Sequence, residues 1–184
     1  MFDYEGKGYV TSIELWQGLT MMEVTATTQD VLFFIKRYDR LETGRLRYSD
    51  FCDAFLPLDT VSSNQVCKRK PKGGDNYFCQ ETLDLYKLCW FTHFANELEM
   101  DDLRAQLKQN VKFDAYSCFQ ALDSKSDGYI DRDDLITTFQ KEGGQKIKEN
   151  EIQMLIERYE RKAQKDGRIT YSEFFSEMRP RFIN

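Results

Sequence analysis

Four aspartates, Asp123, Asp127, Asp131 and Asp134, hold the first, fifth, ninth and twelfth places of the segment Asp123-Ser-Lys-Ser-Asp-Gly-Tyr-Ile-Asp-Arg-Asp-Asp134, with Gly128 sixth and Ile130 eighth. Carboxylates at these intervals in one short loop can converge on a hard cation, joined by the backbone carbonyl of the seventh residue, Tyr129. Ca²⁺ wants such an oxygen-rich shell, and the sharp turn at the sixth place favours glycine. The chemistry is ligation. Bond-breaking has little support: the single histidine, His93, follows Cys89 by four residues, but no third group that would orient a nucleophile and base is apparent, and no enzymatic activity is expected.

Helices must carry such a loop, and apolar residues at helical spacing flank it: Phe113, Tyr116, Phe119 and Leu122 before, Leu135, Ile136 and Phe139 after. Helix, loop and helix together resemble the EF-hand family. The grammar recurs in Asp3-Tyr-Glu-Gly-Lys-Gly-Tyr-Val-Thr-Ser-Ile-Glu14, in Asp39-Arg-Leu-Glu-Thr-Gly-Arg-Leu-Arg-Tyr-Ser-Asp50, and around Gly167, Ile169 and Glu173. We number these loops I, II and IV, with Asp123 to Asp134 as loop III. The resemblance implies an all-α chain of two EF-hand pairs. Within each pair the residues at the eighth place would join in a short β-bridge, coupling Val10 with Leu46 and Ile130 with Ile169.

The loops depart from the family's ligand pattern. Loop III keeps Asp123, Asp127, Asp131 and Asp134 but has Lys125 at its third place. Loop I offers Asp3, Glu5, the Tyr9 carbonyl, Thr11 and Glu14, with Lys7 fifth. Loop II retains Asp39, loses donors at Leu41 and Arg47, and ends on the shorter Asp50. Counted back from Glu173, loop IV begins at Lys162 with Gln164 third, leaving Asp166 and Glu173 as its acids; begun instead at Glu160, it is two residues longer and has a carboxylate in front. Ca²⁺ is expected in one or two loops, loop III ahead of loop I. The short Asp134 makes Mg²⁺ the alternative.

The chain has 184 residues, 14% of them aromatic, enough for two small cores. A net charge of −5 provides no basic field for nucleic acid, no apolar run is long enough to span a membrane, and no secretory signal opens the sequence. Five cysteines without C-x-x-C spacing argue against a disulfide framework or zinc site, and the cytosol is the expected compartment. We read an N-terminal pair over residues 1–57 whose first hand lacks an entering helix, either because the sequence begins late or because another chain covers that flank. A linker follows over 58–77, carrying the basic run Lys68 to Lys72, which is either solvated or in contact with an acidic surface. An amphipathic connecting helix over 78–110 and a C-terminal pair over 111–184, with Gly143-Gly144 turning between its hands, complete the chain.

The connecting helix carries Trp90, Phe91, Phe94 and Leu98, the kind of surface an EF-hand groove grips. It either docks internally or anchors a partner. Two functional readings follow. In one, the chain is a helix-gripping adaptor or structural part of a larger cytoskeletal assembly, bound to a helix or filament-associated protein, with weak or partial Ca²⁺ binding. In the other it is a sensor or regulatory subunit whose groove opens on Ca²⁺. The chain is similar to calmodulin and centrin in its two paired lobes but departs from both in its inserted aromatic helix and weakened loops. Several decayed hands with a long spacer and short tails look similar to EF-hand proteins built into ciliary and flagellar axonemes, and that resemblance implies a place there.

Overall fold

The computed structural model describes residues 2–57, 60–69, 78–141, 147–160 and 166–181. The Lys162 and Gln164 readings of loop IV, the Gly143-Gly144 turn and most of the basic run, Lys70 to Lys72, lie outside the described residues. The chain divides into two compact units, Met1–Met100 and Asp101–Asn184.

Unit 1 begins with β1 (Tyr9–Thr11), α1 (Ser12–Met21), α2 (Thr28–Tyr38), β2 (Arg45–Arg47) and α3 (Tyr48–Phe55). Local chemistry sets the helix starts. Thr11 and Thr27 each accept an N–H from the residue three places on, and Glu14 and Asp30 reach back to the cap backbone, giving two capping boxes. β1 and β2 pair antiparallel with Val10 opposite Leu46. Pro57 follows α3, and beyond it the expected linker contains a helix, α4 (Thr60–Cys67). Its only aliphatic residues are Val61, which is exposed, and Val66. Such a helix has no apolar face to bury, so no periodicity could announce it.

The helix α5 (Gln80–Gln109) is continuous, but the division falls within it, so that residues to Met100 serve unit 1 and those from Asp101 serve unit 2. In unit 1, Trp90 is fully buried among Phe34, Phe55 and Phe94, with ring centroids 4.5, 4.8 and 5.7 Å away. Phe2 joins this core, its ring lying on Gly18, where any Cβ would collide with it, and 6.1 Å from Trp90. His93 is structural. Its Nε2 lies 3.1 Å from the Ala54 carbonyl, which can only accept, so Nε2 carries the proton and Nδ1 accepts from the Tyr38 hydroxyl at 3.2 Å.

Unit 2 contains α6 (Ala115–Leu122), β3 (Tyr129–Ile130), α7 (Arg132–Lys141), α8 (Glu149–Tyr159), β4 (Ile169–Thr170) and α9 (Tyr171–Met178), with Ile130 opposite Ile169. Phe119, Ile130, Leu135, Ile152, Ile156, Ile169 and Phe174 form its core. Beside that core lies a buried ion cluster. Glu177 accepts from Arg104 Nη2 at 3.0 Å and Arg181 Nη2 at 3.0 Å, Arg104 Nε donates to the Glu177 carbonyl, and the Arg181 N–H donates to Asp101 at 2.7 Å.

Trp90→Ala should cost about 3–5 kcal/mol in urea unfolding of unit 1, against under about 1 kcal/mol for the 44% exposed Phe91→Ala. Glu177→Ala, by stranding a buried guanidinium, should cost unit 2 about 3–5 kcal/mol, whereas an effect below about 1 kcal/mol would show the cluster to be incidental.

Candidate metal centre

At the front of every loop a carboxylate is closed on the glycine turn. Asp3 accepts from the N–H groups of Lys7 at 2.9 Å and Gly8 at 2.8 Å. Asp39 accepts from Gly44 at 2.6 Å, and Asp123 from Asp127 at 3.1 Å and Gly128 at 2.8 Å. In loop IV the role falls to Glu160, which accepts from Asp166 at 2.9 Å and Gly167 at 2.7 Å. Glu160 thus stands in the front place that the longer alignment gives it, and it is buried. Its extra methylene reaches the turn from the end of α8. The four glycines at the turn have φ between +72° and +86°, a region that side chains rarely enter.

At the other end, the last residue of each loop, twelfth in loops I to III and fourteenth in loop IV counted from Glu160, bonds the start of the helix that leaves it. Glu14 accepts from the Thr11 N–H at 2.9 Å, Asp50 from Arg47 at 2.9 Å, Asp134 from Asp131 at 3.0 Å and Glu173 from Thr170 at 2.8 Å. The hydroxyls of Thr11 and Thr170 donate to the same carboxylates at 2.8 and 2.7 Å. The chain's own donors thus occupy oxygens that an ion would use.

Between these ends, loops I, II and III each hold a cation of their own among the described residues. Lys7 Nζ lies 2.6 Å from Glu14 and 3.1 Å from Glu5. Arg47 grips Asp50 through Nε at 3.1 Å and Nη2 at 3.0 Å. Lys125 Nζ lies 2.5 Å from Asp131 and 3.4 Å from Asp133. Lys7 holds the Glu14 carboxyl down at about 2, aided by the Thr11 N–H and hydroxyl, and the Glu14 and Glu5 carboxylates in turn raise the Lys7 ammonium. Hydrogen bonding to Asp50 raises Arg47, and Asp131 raises Lys125. Burial alone would push the Asp131 carboxyl up, but the Lys125 ammonium and the Asp134 N–H outweigh it and leave the group below its usual value.

The structure brings Asp123, Asp127, Asp131 and Asp134 into one loop with Tyr129, and Asp3, Glu5, Tyr9, Thr11 and Glu14 into another. Among the described residues no three acidic, histidine or cysteine side chains already converge as a metal-holding group. The fit to Ca²⁺ differs by loop. Loop III has the donor chemistry. Its ammonium, on a side chain 42% exposed, can leave for water, and its twelfth carboxylate is held by a neutral partner, the Ser124 hydroxyl at 2.6 Å, rather than by the cation. In loop I the ammonium sits on the twelfth carboxylate itself, and in loop II a guanidinium does so where the ninth donor is missing. From spacing alone, Lys7, Arg47 and Lys125 stand where the family's pattern has oxygen donors. The signal for their actual role is a cation at a donor position in a loop whose last acid survives.

Of the helix residues singled out for docking, Trp90 and Phe94 are buried in unit 1 and Phe91 and Leu98 are exposed. No helix among the described residues is long and apolar enough to cross a membrane.

Paired loops that each lead into a helix, closed on a glycine turn and bridged two residues beyond that glycine, define a cation-loop protein of mostly helical type. The family description "EF-hand domain pair" matches residues 112–179. The chain is also similar to "Calcium-binding protein CML42" of Arabidopsis thaliana, 24% identical over 183 aligned residues that cover 97% of this chain and 78% of that protein. Over residues 112–179 the chain thus matches an EF-hand domain pair, and both this match and the calcium-binding relative are compatible with Ca²⁺ in its loops.

If Glu160 opens loop IV, Glu160→Ala should destabilise unit 2 by about 1–3 kcal/mol, because the Asp166 and Gly167 N–H groups lose their acceptor. Lys162→Ala should be within about 0.5 kcal/mol of the parent. The reverse order in urea titrations would restore the shorter loop.

Proposed function

We propose that the protein is an EF-hand adaptor whose first unit is permanently engaged by its own helix, with weak Ca²⁺ binding confined to loop III. The observation that carries this reading is Trp90, 0% exposed in a cage of Phe34, Phe55 and Phe94. An EF-hand lobe offers an apolar groove to an amphipathic helix, and here α5 supplies that helix from within the chain. A ligand moves an equilibrium only through differential affinity for its two states. Loops already closed by internal hydrogen bonds and side-chain cations give Ca²⁺ little with which to move one.

When Ca²⁺ is bound, it supplies the charge that gathers oxygen donors. In this chain Asp123, Asp127, Asp131, Asp134 and the Tyr129 carbonyl would hold it. The Ca²⁺ binding named for the Arabidopsis relative supports assigning that capacity here. Leu88, Phe91 and Leu98, exposed on α5, offer apolar contact to a protein partner, as expected of a component retained in a larger assembly such as a cytoskeletal one.

Tryptophan fluorescence separates adaptor from sensor. The chain has two tryptophans, so Trp16→Phe leaves Trp90 as the sole reporter. The adaptor reading expects the same blue-shifted emission in Ca²⁺ and in chelator, with calorimetry finding at most one weak site, abolished by Asp123→Ala. A red shift of Trp90 on Ca²⁺ addition, accompanied by micromolar heats, would establish a sensor instead.

A further inference from the structure

Loop I holds the most complete of the internal cations. The Lys7 ammonium joins the twelfth and third carboxylates, Glu14 at 2.6 Å and Glu5 at 3.1 Å. The second oxygen of Glu14 is committed to the N–H and hydroxyl of Thr11, and both oxygens of Asp3 to the N–H groups of Lys7 and Gly8. The acids that would greet a divalent ion are thus bridged by a charge that the chain itself carries. Loop II repeats the arrangement with Arg47 paired to Asp50 through two nitrogens.

We propose that Lys7 is the tethered counter-ion of loop I, occupying the role of a divalent cation and closing that loop to Ca²⁺ and Mg²⁺, and that Arg47 does the same in loop II. A group on the same chain competes at an effective concentration on the order of millimolar or more. A free ion must displace it and also take the Glu14 carboxylate from the N–H and hydroxyl of Thr11, thereby breaking one half of the α1 capping box. Loop III is the contrast. Lys125 bonds the ninth carboxylate, and the twelfth, Asp134, is held by the Ser124 hydroxyl. Divalent cations therefore reach loop III before loops I and II. The inference concerns which loops admit an ion and stands whether or not α5 stays seated in unit 1.

The test is nitrogen-15 NMR on the full chain, following the amides of Gly8, Gly44 and Gly128 as Ca²⁺ and then Mg²⁺ are raised to about 1 mM, the weak end of EF-hand affinity. In the parent chain Gly8 and Gly44 should not move. In Lys7→Met, Gly8 and Thr11 should shift saturably, with at least about a tenfold gain in apparent affinity for loop I, and Ca²⁺ should raise the thermal midpoint; Lys7→Arg should remain silent. A saturable Gly8 or Gly44 response in the parent, or a folded Lys7→Met that ignores both ions, overturns the proposal. A Lys7→Met chain that folds only with Ca²⁺ supports it. Should that variant fold in neither condition, Lys7→Arg decides: the parental midpoint with no ion response supports the counter-ion, and loss of that midpoint or a Ca²⁺ response overturns it.

Discussion

Everything else in this chain depends on a loop closed at both ends by the backbone. A front carboxylate accepts the N–H groups at the glycine turn, and the last carboxylate of the loop accepts the N–H at the start of the departing helix. All four loops make both contacts, with Glu160 taking the front role in loop IV. Charge-assisted hydrogen bonds of this kind are stronger than neutral ones, and they fix the loop between its helices whether or not an ion is present. A ligand set can then decay without the fold decaying. Lys7, Arg47 and Lys125 fit this scheme because each neutralises acids that would otherwise repel one another in a tight turn.

Closed loops hold the bridges, and the bridges hold the helices that line a core. Val10 with Leu46, and Ile130 with Ile169, place two loops of each unit side by side. In unit 1 the resulting apolar surface receives Trp90 and Phe94, and in unit 2 the corresponding security comes from a core around Phe119 and Phe174 beside the arginine cluster on Glu177. One unit is thus closed by aromatic packing and the other is tied by buried charge. Both arrangements resist opening, the first because uncovering large aromatic surface is costly, the second because separating a buried pair strands its charges.

Much of this was legible in the sequence. The glycine turns and the bridge partners, Val10 with Leu46 and Ile130 with Ile169, follow from residue type and spacing. Three things were not legible, each for a physical reason. Helix α4 buries too little to leave a period. The front of loop IV was ambiguous because Glu160 and Lys162 both stand at workable distances from Gly167, and only the buried carboxylate discriminates. The inward face of α5 was half hidden. At about 100° per residue, Trp90 and Phe94 share a face and Phe91 turns away from it, while the buried line continues through Glu97, Asp101 and Arg104, charged residues that a hydrophobic pattern passes over.

The central claim is that the loops are shaped by the chain's own hydrogen bonds. Hydrogen exchange at Gly8, Gly44, Gly128 and Gly167, measured in excess chelator, tests it most directly. The account predicts that all four amides are protected without a divalent ion, at rates approaching those of neighbouring helix amides, and that Ca²⁺ slows Gly128 at most. Exchange near the unprotected rate in chelator, with protection appearing at several of these glycines only after Ca²⁺ is added, would contradict it.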